Sequence, residues 1–211
     1  MRDDFLRHFS SLPLIAILRG IAPEDCPAAG RALLAAGFRL VEVPLNSPRP
    51  LESIRALVEV CTPIAVIGAG TVLRPEDVLG VKAVGGSFIV SPNMRPDVIR
   101  ASTQAELVSI PGVATPTEGF AALEAGADVL KVFPAEQVPP AALKAWRAVI
   151  PAGTALVPVG GITVDNLNAF VAAGATGFGL GSALYTPGMP ADELQRRAAR
   201  FVQAWRDAVH R

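Results

Sequence analysis

Apolar residues recur along this chain in short runs, and four of these runs follow a helix-like, alanine-rich stretch that ends in glycine. The four glycines are Gly37, Gly85, Gly126 and Gly174, and the apolar runs after them cover residues 40–43, 88–90, 129–132 and 177–180. A glycine just past a helical stretch is a common helix-ending signal, and so short an apolar run is typical of a buried strand. The pattern therefore predicts a repeated helix–strand unit.

Four further apolar runs lie between these repeats, at residues 14–18, 64–67, 106–110 and 155–159. Residues that favour the start of a helix follow at Pro23, Pro75, Pro96, Thr117 and Asp165. Strands that alternate with helices eight times in about 200 residues predict an α/β fold, a small (β/α)8 TIM barrel. We expect one domain over residues 1–211, with a last helix near residues 190–210. A doubly wound open sheet is the alternative, since periodicity does not establish closure.

Composition narrows the class of protein. Hydrophobic residues make up 51% of the chain and charged residues 18%, so a packed core is expected rather than disorder. The formal net charge is zero, which argues against nucleic-acid and membrane-surface partners. The first residues lack the apolar core of a signal peptide, and no apolar run is long enough to span a membrane. We therefore expect a cytoplasmic protein.

Histidine and cysteine are scarce. The histidines are His8 and His210, near the two ends, and the cysteines are Cys26 and Cys61. Neither their number nor their spacing indicates a disulfide framework or a metal site. We expect no metal and no cofactor, and any proton transfer must use a carboxylate, a lysine, Tyr185, a cysteine or water.

Lys131 lies in the middle of the predicted sixth strand, among apolar neighbours. A buried lysine costs free energy unless it is paired or neutral. If it points into the barrel, it is a desolvated amine able to attack a carbonyl and form an imine. The alternative is an outward lysine whose ammonium reaches solvent along a helix.

Glu42 occupies a similar position inside the predicted second strand, between two valines. A buried carboxylate near a lysine can move protons in an enamine mechanism. The alternative is a structural ion pair with Lys131 or with Arg19. Active sites in barrels lie at the C-terminal ends of the strands, and Arg19 follows the first strand there, where a cation suits a carboxylate or phosphate.

A Gly-Gly pair and a Gly-Ser pair, here called the glycine pairs, end the last two predicted strands. They are Gly160-Gly161 and Gly181-Ser182, at the position where such barrels often bind phosphate through backbone N–H groups. Glycine allows the backbone to approach the phosphate oxygens closely. We expect a phosphate site here, although each pair alone is compatible with a plain turn.

The chain resembles the 2-keto-3-deoxy-6-phosphogluconate and -galactonate aldolases over almost its whole length, from about Leu14 to Arg206. The motifs that carry the resemblance are residues 41–46 (VEVPLN), 67–73 (IGAGTVL), 91–93 (SPN), 130–136 (LKVFPAE), 159–161 (VGG) and 179–182 (GLGS). The resemblance implies a class I aldolase without a metal, usually a homotrimer. Lys131 would be the Schiff-base lysine and Glu42 the general acid/base.

The same resemblance implies the substrate contacts. Thr71 with Gly70 would bind the carboxylate of the pyruvate part, and the glycine pairs the phosphate. The other substrate-binding residues implied are Arg19, Asn46, Pro92, Phe133 and Val159. Asn46 and Val159 agree with the galactonate branch, because the gluconate type tends to have an arginine and a hydroxyl residue at these two places.

The expected reaction is therefore cleavage of 2-dehydro-3-deoxy-6-phospho-D-galactonate to pyruvate and D-glyceraldehyde 3-phosphate. The gluconate epimer, or activity on both epimers, is the alternative within the class. A phosphate-binding barrel isomerase and a non-catalytic binding protein are the alternatives outside it.

Overall fold

The computed structural model describes residues 2–210 and alternates strands with helices, as the sequence pattern predicts. The first and last residues of the predicted domain 1–211, Met1 and Arg211, lie outside the described residues. The strands are β1 Leu14–Ile17, β2 Leu40–Pro44, β3 Val66–Gly70, β4 Phe88–Val90, β5 Val108–Ile110, β6 Gly112–Val113, β7 Val129–Val132, β8 Ala155–Pro158 and β9 Phe178–Leu180. The helices are α1 Arg2–Ser11, α2 Cys26–Ala36, α3 Pro50–Cys61, α4 Pro75–Ala83, α5 Pro96–Gln104, α6 Pro116–Glu124, α7 Pro140–Arg147, α8 Leu167–Ala172 and α9 Ala191–Val209.

The strands form a closed ring of parallel pairs, which confirms the barrel over the open sheet. The order β5-β4-β3-β2-β1-β9 forms one arc and β6-β7-β8 the other. A bridge between Val159 and Gly179 joins β8 to β9. At the other seam, β5 pairs with β4 while β6 pairs with β7. Pro111 separates β5 from β6, so these two segments are halves of one barrel strand.

Apolar side chains form one layer inside this ring and a second layer between the ring and the helices. Successive residues of each strand belong to these two layers in turn, because strand side chains point to alternate faces. Phe5 of α1 belongs to the inner layer, where its ring lies 5.3 Å from the ring of Phe88. The helix α1, which the sequence pattern did not predict, thus fills the N-terminal end of the barrel.

The bounds of two strands differ from the prediction by more than one residue. The fifth strand begins at Val108 rather than at residue 106, because Glu106 adopts a left-handed turn conformation with φ of 60° that ends α5. The third strand begins at Val66 rather than at residue 64 and runs on to Gly70, so Gly68 and Gly70 are part of the strand. A Cβ on Gly68 would fall 2.5 Å from Cγ of Phe88, which explains why only glycine fits there.

Local sequence signals account for most helix starts. Proline occupies the first turn of several helices, as at Pro75 and Pro96, where its missing N–H costs no hydrogen bond. Thr115 and Glu118 form a capping box at the start of α6. Residues 23–25 form a short 3-10 turn before α2. Within residues 2–210, none of the helices has the length and apolar character needed to cross a bilayer.

Candidate active site

A cavity of about 670 Å³ lies at the C-terminal ends of the strands. Predicted site residues that line it are Arg19, Thr71, Pro92, Phe133, Val159, Gly160, Gly161, Gly181 and Ser182. The structure thus brings together residues that follow six different strands. A larger cavity of about 910 Å³ lies beside α1 at the opposite end, the face of a barrel that serves stability rather than catalysis. We therefore place the candidate site at the first cavity.

Lys131 points into the barrel. Its strand neighbours Leu130 and Val132 pack outward against the helices. Val129, two residues before Lys131 and therefore on the same face of the strand, belongs to the inner layer. The residue is only 4% exposed. Its Nζ lies 4.5 Å from the ring centre of Phe133, which itself lines the cavity. The amine therefore lies beneath the cavity floor, and the outward orientation is wrong.

Glu42 points into the same interior from the other side. It lies on β2, 2% exposed, two residues after the inward-facing Leu40. Counting β5 and β6 as one strand, β2 and β7 are four strands apart in a ring of eight, so the two side chains approach from opposite walls. Among residues 2–210, no salt bridge joins Glu42 directly to Lys131, in contrast to the alternative of a structural ion pair with it.

Burial shifts the proton affinities of both groups in the direction that this chemistry needs. Desolvation lowers the pKa of Lys131, and Glu42 partly opposes that shift while the positive charge of Arg19 adds to it. Desolvation raises the pKa of Glu42, and the charges of Lys131 and Arg19 oppose that shift. A lowered pKa makes the neutral, nucleophilic amine more available. A raised pKa suits a carboxyl group that both takes and returns a proton.

Gly70 ends β3, and Thr71 follows it at the cavity. Thr71 has φ of 54°, a left-handed conformation that β-branched residues rarely adopt and that often marks a functional site. Gly70 lies against Glu42, since a Cβ on Gly70 would be 2.9 Å from Cδ of that residue. The two residues therefore have different surroundings: Thr71 faces the cavity, and Gly70 provides space for the carboxylate.

The glycine pairs form the far wall of the cavity. Gly160 and Gly161 have φ of 103° and 60°, conformations that glycine adopts without strain. The Nδ2 of Asn166 donates a hydrogen bond of 2.8 Å to the carbonyl of Gly161 and so holds this turn. Within residues 2–210, no hydrogen bond to another residue engages the backbone amides of Gly161 and Ser182. Such free amides are suitable donors for an anion.

Of the predicted substrate-binding residues, Gly70 does not line the cavity, and neither does Asn46. Its Oδ1 accepts a hydrogen bond of 3.0 Å from Nη1 of Arg19. Sequence reasoning also missed five residues that do line the cavity: Ile17, Ile162, Thr163, Gly179 and Ala183. Four of them are apolar or small and carry no chemical signal of their own. Only their positions next to predicted residues at strand ends indicate them.

The arrangement combines a buried amine, a buried carboxylate and the free backbone amides of Gly161 and Ser182 within one barrel mouth. An amine in this setting can form an imine with a keto acid, and the carboxylate can move the proton that bond cleavage requires. Within residues 2–210, no group of three or more His, Cys, Asp or Glu side chains lies in a metal-binding arrangement.

Comparisons with known proteins point in one direction. The family model for KDPG and KHG aldolase matches residues 4–198. The 2-dehydro-3-deoxy-6-phosphogalactonate aldolase of Escherichia coli K12 is 47% identical over 200 residues, which cover 95% of this chain and 98% of that protein. The solved native KDPGal structure superposes with a TM-score of 0.93 at 47% identity, covering 95% of this chain and 97% of that one.

A more distant structure bears on the chemistry. The KDPG aldolase from Legionella pneumophila, with pyruvate captured as a covalent carbinolamine intermediate, is 27% identical. It superposes with a TM-score of 0.84 and covers 92% of this chain and 96% of its own.

Proposed function

This chain belongs to the KDPG and KHG aldolase family, and from that premise we propose that it cleaves 2-dehydro-3-deoxy-6-phospho-D-galactonate to pyruvate and D-glyceraldehyde 3-phosphate. The observation that carries the proposal is the inward-facing, 4% exposed Lys131 opposite the 2% exposed Glu42. Burial of two opposite charges without a direct salt bridge is costly for stability. It is useful where an amine has to attack a carbonyl.

The chemistry follows from these two residues. The neutral amine of Lys131 adds to C2 of the keto acid, and loss of water leaves a protonated imine that withdraws electrons. Glu42, acting through a water, takes the proton of the C4 hydroxyl, and the C3–C4 bond breaks to release the aldehyde. The electron pair of that bond forms an enamine. Protonation at C3 and addition of water then release pyruvate and restore the amine.

The cavity residues bind the rest of the substrate. Thr71, at the end of β3, would bind the carboxylate of the pyruvate part, and Pro92 and Phe133 would border it. Arg19 supplies a cation at the rim. Gly160, Gly161, Gly181 and Ser182 would bind the phosphate through backbone amides, and glycine at these places allows a close approach.

The choice of epimer rests on Val159 and on the relatives. Val159 lines the cavity with an apolar side chain, so it offers no hydrogen bond to a hydroxyl group at C4. Identity is 47% to the galactonate enzyme of E. coli and 35% to the gluconate enzyme of Pseudomonas aeruginosa. The gluconate epimer, or both epimers, remains the second candidate substrate within the family.

We further propose that one-domain protomers assemble into a homotrimer in the cytoplasm. Leu51, Leu73 and Leu79 are 38%, 43% and 66% exposed on and between α3 and α4. Exposed leucines on and between two neighbouring helices favour an interface. Light scattering should give three times the 21.9 kDa mass of one chain, and the Leu79→Glu substitution should give the mass of one chain. Cell fractionation tests the location.

Imine trapping tests the reaction class. The protein is treated with sodium borohydride in the presence of pyruvate, and peptides are examined by mass spectrometry. A pyruvate-derived adduct is expected on Lys131, and it should be absent from Lys131→Arg because a guanidinium does not form the imine. Lys144→Arg is the matched control, since Lys144 is exposed on α7. Absence of the adduct from the folded wild-type protein would contradict the aldolase reaction and favour an isomerase or a non-catalytic binding protein.

Substrate comparison tests the epimer. The kcat/KM values for the phosphorylated galactonate and gluconate keto acids are measured side by side, with pyruvate release as the readout. A higher value for the galactonate epimer supports the proposal. A higher value for the gluconate epimer would replace it with the second candidate.

A further inference from the structure

Two adjacent residues after β2 hold two adjacent residues after β1. The Oδ1 of Asn46 accepts a hydrogen bond of 3.0 Å from Nη1 of Arg19. Next to it, the Oγ of Ser47 accepts one of 2.9 Å from the backbone N–H of Gly20. Gly20 is confined on its other side as well, because a Cβ there would lie 2.8 Å from Cγ of Pro187. Both the backbone and the guanidinium of the Arg19 segment are therefore held.

Only one partner of this pair reaches the cavity. Arg19 lines it, whereas Asn46 does not, so Asn46 can act on a substrate in the cavity through Arg19. Both side chains are exposed, and a single exposed polar contact of this kind contributes little to stability. An arginine side chain is long and rotamer-rich, and a fixed partner reduces the freedom that it loses on binding a ligand.

We propose that Asn46 is a positioning residue, which holds the guanidinium of Arg19 at the cavity rim, rather than a residue that contacts the substrate. The inference rests on the proposed aldolase function and assigns Asn46 a role different from the direct contact expected from the sequence. It also gives a reason for an amide at this place, since the amide oxygen accepts from a guanidinium without adding charge beside an anionic substrate.

The position of Arg19 also affects the reacting groups. Its positive charge lowers the pKa of Lys131 and that of Glu42. It therefore favours the neutral amine and the ionised carboxylate. These three are the charged groups that act on one another at this centre. If Asn46 no longer holds Arg19, the pKa of both groups should rise.

A double-mutant cycle tests the inference. The kcat/KM for the phosphorylated keto acid is measured for wild type, Asn46→Ala, Arg19→Met and the double variant. Asn46→Ala alone should lower kcat/KM by about tenfold, as expected for loss of a hydrogen bond to a charged group. In the Arg19→Met background it should have no further effect, because Asn46 would act only through Arg19. Asn168→Ala, at an exposed position of α8, is the matched control.

A pH profile adds a readout that a structural role would not change. The acid-side rise of kcat/KM should move to higher pH in Asn46→Ala and in Arg19→Met, and should not move in Asn168→Ala. Equal losses from Asn46→Ala in both backgrounds would show direct contact and overturn the inference. No loss in either background would overturn it too. A wild type that cleaves neither epimer would overturn the proposed function, and the inference with it.

Discussion

A methyl group added to Gly70 would overlap Oε1 of Glu42 and lie 2.9 Å from its Cδ. Gly70 ends β3, in register with Pro44 on β2, and Glu42 precedes Pro44 by two residues on the same face. The absent side chain of Gly70 thus leaves the space that the Glu42 carboxylate occupies. Gly70 and Gly68 leave space for the Glu42 carboxylate and for Phe88, in addition to any contact with substrate.

Gly70→Ala should therefore displace the Glu42 carboxylate without changing any charge. A misplacement of about 1 Å at a reacting group lowers kcat by about 10²-fold, and we expect a loss of that order with the far-ultraviolet circular dichroism unchanged. Gly153→Ala is the control, because a Cβ there meets no atom within 4 Å. A kcat for Gly70→Ala equal to that of the control would mean that the position of Glu42 is not critical.

Glu42→Gln should separate imine formation from proton transfer. Borohydride trapping of pyruvate on Lys131 should persist, because the amine remains. Deuterium exchange into the pyruvate methyl group, followed by NMR, should slow by about 10² to 10⁴-fold, the usual contribution of a general acid/base. Glu59→Gln, exposed on α3, should exchange at the wild-type rate. Exchange at that rate in Glu42→Gln would give Glu42 a structural role only.

Removal of both buried charges should stabilise the fold most at intermediate pH. Burial raises the pKa of Glu42. A glutamate in the unfolded chain has a pKa of about 4.3, so above that pH the buried Glu42 increasingly lowers the stability of the fold. Burial lowers the pKa of Lys131, so the buried charged lysine lowers the stability of the fold at low pH. This destabilisation disappears as pH rises toward about 10.4, the pKa of a lysine in the unfolded chain. The Lys131→Met/Glu42→Gln double variant has neither cost between these limits.

The measurement is Tm against pH for that double variant and wild type. The gain in Tm should be greatest between these limits and smaller at both ends. Lys144→Met/Glu59→Gln, which removes one exposed charge of each sign, serves as the control. A gain that does not vary with pH would argue against the directions of the two shifts.

Gly181→Ala should weaken binding of the phosphate while leaving the fold intact. A Cβ on Gly181 meets no atom within 4 Å, and the residue lines the cavity, so the methyl group would project into open space at the expected phosphate site. We expect KM for the phosphorylated substrate to rise by about tenfold, a loss of one good hydrogen bond to an anion. Trapping of pyruvate, which has no phosphate, should be unchanged. Gly153→Ala again serves as the control. An unchanged KM in Gly181→Ala would mean that the phosphate binds at another place.

Val159→Thr should change the preference between epimers. Val159 is 7% exposed and lines the cavity directly before Gly160. A hydroxyl group there can hydrogen-bond a substrate hydroxyl, and we expect the kcat/KM ratio to move toward the gluconate epimer by about tenfold. Val149→Thr, at an exposed position after α7, should leave the ratio unchanged. A ratio that stays constant in Val159→Thr as well would place the selection of the C4 hydroxyl at another residue.

Much of this architecture is predictable from local sequence. The alternation of alanine-rich stretches, glycines and apolar runs indicates the strands and helices, since each depends on residues only a few positions apart. The same reasoning locates Lys131 and Glu42 inside strands and the glycine pairs after them. The predicted strand bounds were wrong near Glu106 and Gly68. Glu106 adopts a left-handed conformation, and Gly68 packs against the ring of Phe88; the hydrophobic pattern indicates neither feature.

The sequence by itself determined which residue types lie on the strands and which end of the barrel carries the chemistry. Only the tertiary structure decided that Lys131 faces Glu42 from the opposite wall, that Phe5 fills the other end and that Asn46 holds Arg19 rather than lining the cavity. These relationships depend on closure of the ring through the pairing of distant strands. Strand pairing joins residues far apart in sequence, so the spacing of neighbouring residues does not determine it.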